Sequence, residues 1–315
     1  MRPGPEPVSI HARLPADVQV LERGWLSSNN VLLIGSEQAA LVDSGYCTHS
    51  AQTLALVGQA LGHRSLDLLV NTHLHSDHCG GNAALQARYP SLRTLVPPGE
   101  AEAVRVWDED KLSYRATGQE CPRFRINGTL EPGTTVSLGD ASWEVHAAPG
   151  HDPHAVLLYR PDAGLLISGD ALWEKGFGIV FPEMWGEPSF DEVAATLDLI
   201  ESLKPDCVIP GHGAVFEQVD AALATARERL DAFVRSPQKH ARHAIKVLIK
   251  FKLLEMKKVC AEDFQTWLSG AAYLREVHQR FAADRDLQEW SGELLNELVR
   301  SGAARREGDL LFDAP

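Results

Sequence analysis

Leu69-Val70-Asn71-Thr72-His73-Leu74-His75-Ser76-Asp77-His78-Cys79-Gly80-Gly81 decides how this chain is read. Three histidines and an aspartate fall within six residues, directly after an apolar run (Leu66, Leu68, Leu69, Val70) with the look of a buried strand. The pattern predicts a strand delivering its end to a loop, with a helix over about residues 81–89. Imidazole and carboxylate are ligands suited to zinc, iron or manganese. In extended chain, residues two apart point the same way, so His73 and His75 can reach one ion. Asp77 and His78 lie just beyond, where a turning loop can aim both at a second ion.

Three later fragments share one form, a strand end followed by a small or glycine turn and then a ligand. They are Ala148-Pro149-Gly150-His151, Ile167-Ser168-Gly169-Asp170 and Ile209-Pro210-Gly211-His212. Glycine beside a ligand lets backbone turn sharply and approach closely. Each fragment alone is common; all three after a His-x-His-x-Asp-His loop form a specific signal.

On these motifs, together with Asp43, the chain resembles the metallo-β-lactamase superfamily of hydrolases over roughly residues 18–235. The resemblance implies an α/β fold, a four-layer αββα sandwich with a two-metal site at one sheet edge. It implies that His73, His75 and His151 hold a first ion, and that Asp77, His78 and His212 hold a second. Asp170 would bridge the two, and Asp43 would orient a ligating imidazole from behind. Asp77 and Asp170 are the candidate catalytic carboxylates. The expected cofactor is two Zn2+, with iron or manganese as alternatives. Two cations a few Å apart repel, so a shared carboxylate and a hydroxide are expected between them. Such a pair can make a nucleophile from water near neutral pH and polarise an electrophile.

The chain has 315 residues, 44% of them hydrophobic, enough for one large domain or two. Thirty basic residues face 43 acidic ones, a formal charge of -13, which opposes general attraction to nucleic acid or anionic membranes. Residues 237–315 hold 13 basic and 12 acidic groups, so residues 1–236 carry the whole acidic excess, a charge of -14. Five scattered cysteines without paired spacing suggest reduced thiols and a cytoplasmic protein. The Pro-rich first 16 residues read as a loose lead-in rather than a signal peptide.

Spacing predicts strands over 18–21, 30–34, 39–43 and 92–96, and helices over 51–61, 191–203 and 221–235. Short strands are expected near Thr135 and over 143–147, 155–159, 165–168 and 207–209. Residues 99–125, with Trp107 and Tyr114, are expected to be a helical insertion bordering the site or an exposed helix and loop. A domain boundary is expected at Ser236-Pro237, giving a catalytic domain over 1–236 and a winged-helix-like domain over 237–315. The second contains helices over 240–256, 264–267 and 292–299, then a hairpin over 305–312 that turns near Gly308-Asp309.

Cys79 is expected to pack as a small apolar group, and His154 to lie near the site without ligating. His11, His49, His63, His146 and His278 carry no motif. Trp173, Gly176, Phe177 and Gly178 are expected to shape the substrate mouth. An aspartate at position 170 separates this chain from β-lactamases proper, and His75 separates it from flavo-diiron oxygen reductases, where a glutamate stands. The leading expectation is hydrolysis of a small ester, thioester or lactone. The alternatives are an endoribonuclease and an iron persulfide dioxygenase. The nucleic-acid alternative rests on Lys239, Arg242, Lys246, Lys250, Lys252, Lys257 and Lys258 against Glu255 alone. A small-molecule substrate is the expected partner, no membrane contact is expected, and a homodimer is left open.

Overall fold

A computed structural model describes residues 14–314. Of the Pro-rich lead-in, residues 1–13 and His11 among them lie outside the described residues. Strands β1 (Val18–Leu21), β2 (Asn30–Ile34) and β3 (Ala39–Val42) form an antiparallel meander, continued in parallel by β4 (Leu68–Val70), β5 (Arg93–Val96) and β6 (Gly128–Thr129). A second sheet holds β7 (Thr135–Leu138), β8 (Ala141–Ala147), β9 (Val156–Arg160), β10 (Leu165–Gly169) and β11 (Cys207–Pro210), in the order β11-β10-β9-β8-β7. Its one parallel pair is β10 with β11.

Two-residue alternation explains the layers. On β2, Val31 and Leu33 enter the core between the sheets, while Leu32 points outward to Val57 and Leu61 of helix α1 (Ser50–Leu61). From the other sheet, Leu158, Leu165 and Ile167 meet that inner core around fully buried Trp143. Leu157 and Leu166 face the opposite way. The one-turn helix α2 (Ser76–Cys79) and then α3 (Asn82–Arg88) follow β4, so the predicted helix starts at Asn82. The insertion contains two short helices, α4 (Ala101–Val106) and α5 (Tyr114–Thr117), over a core of their own with Leu112 and Phe124. After β10 come α6 (Phe181–Trp185) and α7 (Phe190–Leu203); α7 and α8 (Val219–Arg235) cover the outer face of the second sheet. The layers are helix, sheet, sheet, helix.

Beyond Ser236 come α9 (Pro237–Met256), β12 (Lys258–Cys260), α10 (Ala261–Gly270), α11 (Ala272–Phe281), α12 (Leu287–Arg300), β13 (Ala304–Glu307) and β14 (Leu310–Asp313). The hairpin lies where its sequence places it, and β12 joins it to make a three-stranded sheet, β12-β14-β13. Helices α10 and α12 extend past their predicted bounds, and α11 is an additional helix. These elements share a core with Ile179 and Met184 from the segment between β10 and α7. No helix among the described residues is long and apolar enough to cross a membrane.

Candidate metal centre

The predicted ligands all follow strand ends. β4 runs into His73, His75, Asp77 and His78, β8 into His151, β10 into Asp170 and β11 into His212. Since β3 and β4, and β10 and β11, run parallel, these ends collect at one edge of the sandwich. Three overlapping groupings result, in which ligand atoms lie within 4.8 Å of one another: His73 with His75 and His151, His73 with His78 and Asp170, and Asp77 with His78 and His212. All seven predicted residues are therefore brought together.

Close packing requires glycine here. A methyl group on Gly211 would overlap Asp170 Oδ1, and one on Gly178 would overlap His151 Nδ1. Asp43, just past the end of β3, accepts hydrogen bonds from Thr72 N (2.9 Å), Thr72 Oγ1 (2.8 Å) and His78 Nδ1 (2.8 Å). It thus fixes the His78 proton on Nδ1 and turns the Nε2 lone pair toward Asp170. His151 Nδ1 likewise donates to the Ile179 carbonyl at 2.5 Å. The Asp170 carboxylate spans the groupings, with Oδ1 3.4 Å from His78 Nε2 and Oδ2 3.5 Å from His151 Nε2 and 3.9 Å from His212 Nε2.

Whether these residues suit metal ions is tested by what they leave unsatisfied. His73 Nε2 and His78 Nε2 are buried with no hydrogen-bond partner, although buried polar atoms are almost always paired. His151 Nε2 faces His75 Nδ1 at 2.8 Å, so two imidazole nitrogens are held edge to edge. Burial, reinforced by His78, His75 and His151, holds the His73 pKa well below its ordinary value. Burial also opposes charging His78, but the carboxylates of Asp170 and Asp43 outweigh it and push its pKa well up. For Asp77 and Asp170 burial acts upward and is outweighed by the neighbouring histidines, so both carboxyls are held below the usual range. Neutral His73 and His151 beside ionised carboxylates, with His78 yielding its proton when a cation binds, form a donor set that fits metal ions.

Residues 23–212 match the family described as the Metallo-beta-lactamase superfamily. The chain belongs to that superfamily. Membership implies a dinuclear metal centre, which the overlapping groupings fit. Among relatives, the hydroxyacylglutathione hydrolase of Brucella anthropi is 31% identical over 192 residues, 60% of each chain. The acyl-coenzyme A thioesterase MBLAC2 of Bos taurus is 27% identical over 223 residues, 62% of this chain and 78% of that one. This superfamily member thus spans less than two thirds of the Brucella protein's length. A metallo-beta-lactamase family protein from Thermus thermophilus superposes over 94% of this chain and 97% of its own, with a TM-score of 0.56 and 21% identity, a likeness of fold.

The centre opens into a cavity of about 930 Å³. The insertion walls it through Asp110, Lys111 and Thr117, among others, so residues 99–125 do border the site. Trp173, Phe177 and Gly178 line it as expected. Gly176 does not, and packs against Arg229 instead. Cys79 stays off the ligand groupings, yet its surroundings are not purely apolar: its thiol meets Tyr114 Oη at 3.1 Å and Cys121 Sγ at 3.7 Å. His154 is exposed on the rim and joins no grouping.

Four further contributors carry no sequence motif of their own. Trp25, 60% exposed, stacks on His212 with centroids 5.4 Å apart and meets Trp173 edge-on. Phe181 lies edge-on to His75 and His151. Asp152 sits 3.7 Å from His75 Nε2; it directly follows His151, and that adjacency is a legible signal. Arg229 reaches the cavity from α8.

Proposed function

We propose that this protein is a dinuclear-metal hydrolase of thioesters with an apolar acyl group. The observation that carries the reading is the set of three overlapping ligand groupings opening onto one large cavity. In it His73, His75 and His151 would hold one ion and Asp77, His78 and His212 the other, with Asp170, whose oxygens face His78, His151 and His212, available to both. When bound, a zinc pair supplies water activation near neutral pH and polarises the thioester carbonyl. The chain's own residues do the rest. Asp43 and the Ile179 carbonyl keep the protons of His78 and His151 on the ring nitrogens facing away from the centre. Trp173 Nε1 donates to Asp170 Oδ1 at 3.1 Å and steadies that carboxylate among the ligand groupings. Trp25, Trp173 and Phe181 cover the imidazoles and limit bulk water.

We take residues 1–236 as the catalytic unit and 237–315 as a winged-helix-like appendage whose α9 walls the cavity. The basic residues of α9 are largely neutralised by acids of that same region, Arg242 and Lys246 by Glu297 and Lys250 by Asp313. Lys252 pairs with Glu255. This favours a small substrate over a nucleic acid. The grouping of Asp77 with His78 and His212, which shares no residue with that of His73, His75 and His151, favours a pair of ions over one iron. The test is turnover of acyl thioesters by metal-loaded protein, with metal counted per chain. RNA cleavage without thioesterase activity, or one tightly held iron with dioxygenase activity, would remove the proposal.

A further inference from the structure

Away from the imidazoles the cavity runs along α9, which lines it with His243, Lys246, Val247, Lys250, Phe251 and Leu254. From His243 to Leu254 the helix rises about 16 Å, and the stripe changes character along that length. Its first turn faces Arg229 of α8; farther on, Val247, Phe251 and Leu254 make it mostly apolar, with the Lys250 ammonium between them tied to Asp313 and the Ala303 carbonyl.

Arg229 is half-buried, with its guanidinium 5.6 Å from the Phe177 ring centroid and 5.4 Å from that of Phe233. Nη2 donates to His243 Nε2 at 2.6 Å, and Nη1 to the Lys175 carbonyl at 3.4 Å. Among the described residues no carboxylate lies within ion-pair distance of it, although Glu174 and Glu187 line the same cavity. Lys246 and Lys250, by contrast, each have an acidic partner. Burial lowers the Arg229 pKa with no carboxylate opposing it. His243 accepts from Arg229 and is held neutral, its pKa lowered to about 4 by burial, then Arg229 and Lys246. A cation kept part-buried without a counter-ion is costly unless an anion arrives.

We propose that Arg229, flanked by His243 and Lys246, receives an oxyanion on the thiol half of the substrate, while Val247, Phe251 and Leu254 receive the acyl half. This rests on the thioester reading above. A guanidinium presents a planar fork of donors that matches a carboxylate or a phosphate in bidentate fashion, whereas an ammonium does not. The polar and apolar ends of the trough then select an amphiphilic thioester rather than a neutral ester.

The experiment uses one hexanoyl chain on three carriers: coenzyme A, which brings phosphates, glutathione, which brings carboxylates, and uncharged N-acetylcysteamine. In Arg229→Met, KM for at least one charged carrier rises about tenfold or more with kcat nearly unchanged, while KM for the neutral carrier stays put. Which charged carrier responds identifies the oxyanion, and Arg229→Lys restores only part of the loss. Equal effects on all three carriers, or none on any, overturn the proposal. Calorimetric titration of free coenzyme A and free glutathione into wild type and Arg229→Met decides the anion site without turnover. If no thioester is hydrolysed the function above falls, but the site stands if either carrier binds wild type and not the variant. If neither binds wild type, the site falls too.

Discussion

Asp43→Asn tests the centre with almost no change of shape. Asp43 holds φ at 59°, a left-handed conformation that asparagine tolerates better than most residues, so the backbone has no reason to move. The carboxylate accepts three short hydrogen bonds, two on Oδ2 and one on Oδ1. An amide has only one accepting atom. If its oxygen stays on Thr72 N–H, its NH2 faces the Nδ1–H of His78; if it flips, it faces Thr72 N–H. Either way a buried donor loses its acceptor, at about 1–3 kcal/mol. The His78 ring can escape only by moving its proton to Nε2, the nitrogen that faces Asp170 and the second ion. Loss of such a supporting bond lowers metal affinity about 10–100-fold, which corresponds to about 1.4–2.7 kcal/mol. Competition with a chromophoric chelator should show one of two ions weakened by that factor, the His73/His75/His151 ion less affected. An Asp43→Asn protein that holds both ions as tightly as wild type would refute the assignment of His78 and its support.

Gly211→Ala should place a methyl group on Asp170 and cost most of the activity and at least one ion, read by metal analysis of folded protein. Chelation should lower the unfolding temperature, since it leaves His73 and His78 with unpartnered buried nitrogens, and zinc should restore it. His240 accepts from Val180 N–H, and burial lowers its pKa to about 4, with lesser pushes from His243 and Arg229. Because the folded pKa lies below the unfolded value near 6.5, its stabilising effect is complete above about pH 6.5 and is lost as pH falls toward 4. The loss amounts to about 2–3 kcal/mol. Urea unfolding of wild type and His240→Gln at pH 7 and pH 4.5 should converge in the acid.

What sequence makes legible follows from how far apart the informative residues lie. The His73–His78 loop is local, and each later ligand carries its own strand end and glycine turn, so the set can be assembled without coordinates. Strands that are short apolar runs, such as β2 and β9, fall within a residue or so of their predicted bounds. Strand β12 does not, because three residues at a sheet edge carry no periodicity; its identity comes only from pairing Val259 with Leu311. Trp25, Phe181 and Arg229 escape for a related reason. Each is a single side chain in unremarkable local sequence, made relevant by packing against residues far from it or by facing the cavity. The basic residues of α9 mislead in the opposite sense, since their acidic partners lie far along the chain, 55 positions away for Arg242–Glu297 and 63 for Lys250–Asp313.

Ile179 faces two ways. Its carbonyl holds the ring of His151, while its side chain belongs to the core formed by α9 and the helices after it. The neighbouring Val180 N–H is tied to His240 of α9. The C-terminal region is therefore no interchangeable module. Grafting a foreign tail of the same outline would detune the centre from behind, and sequence drift in one region must be answered in the other.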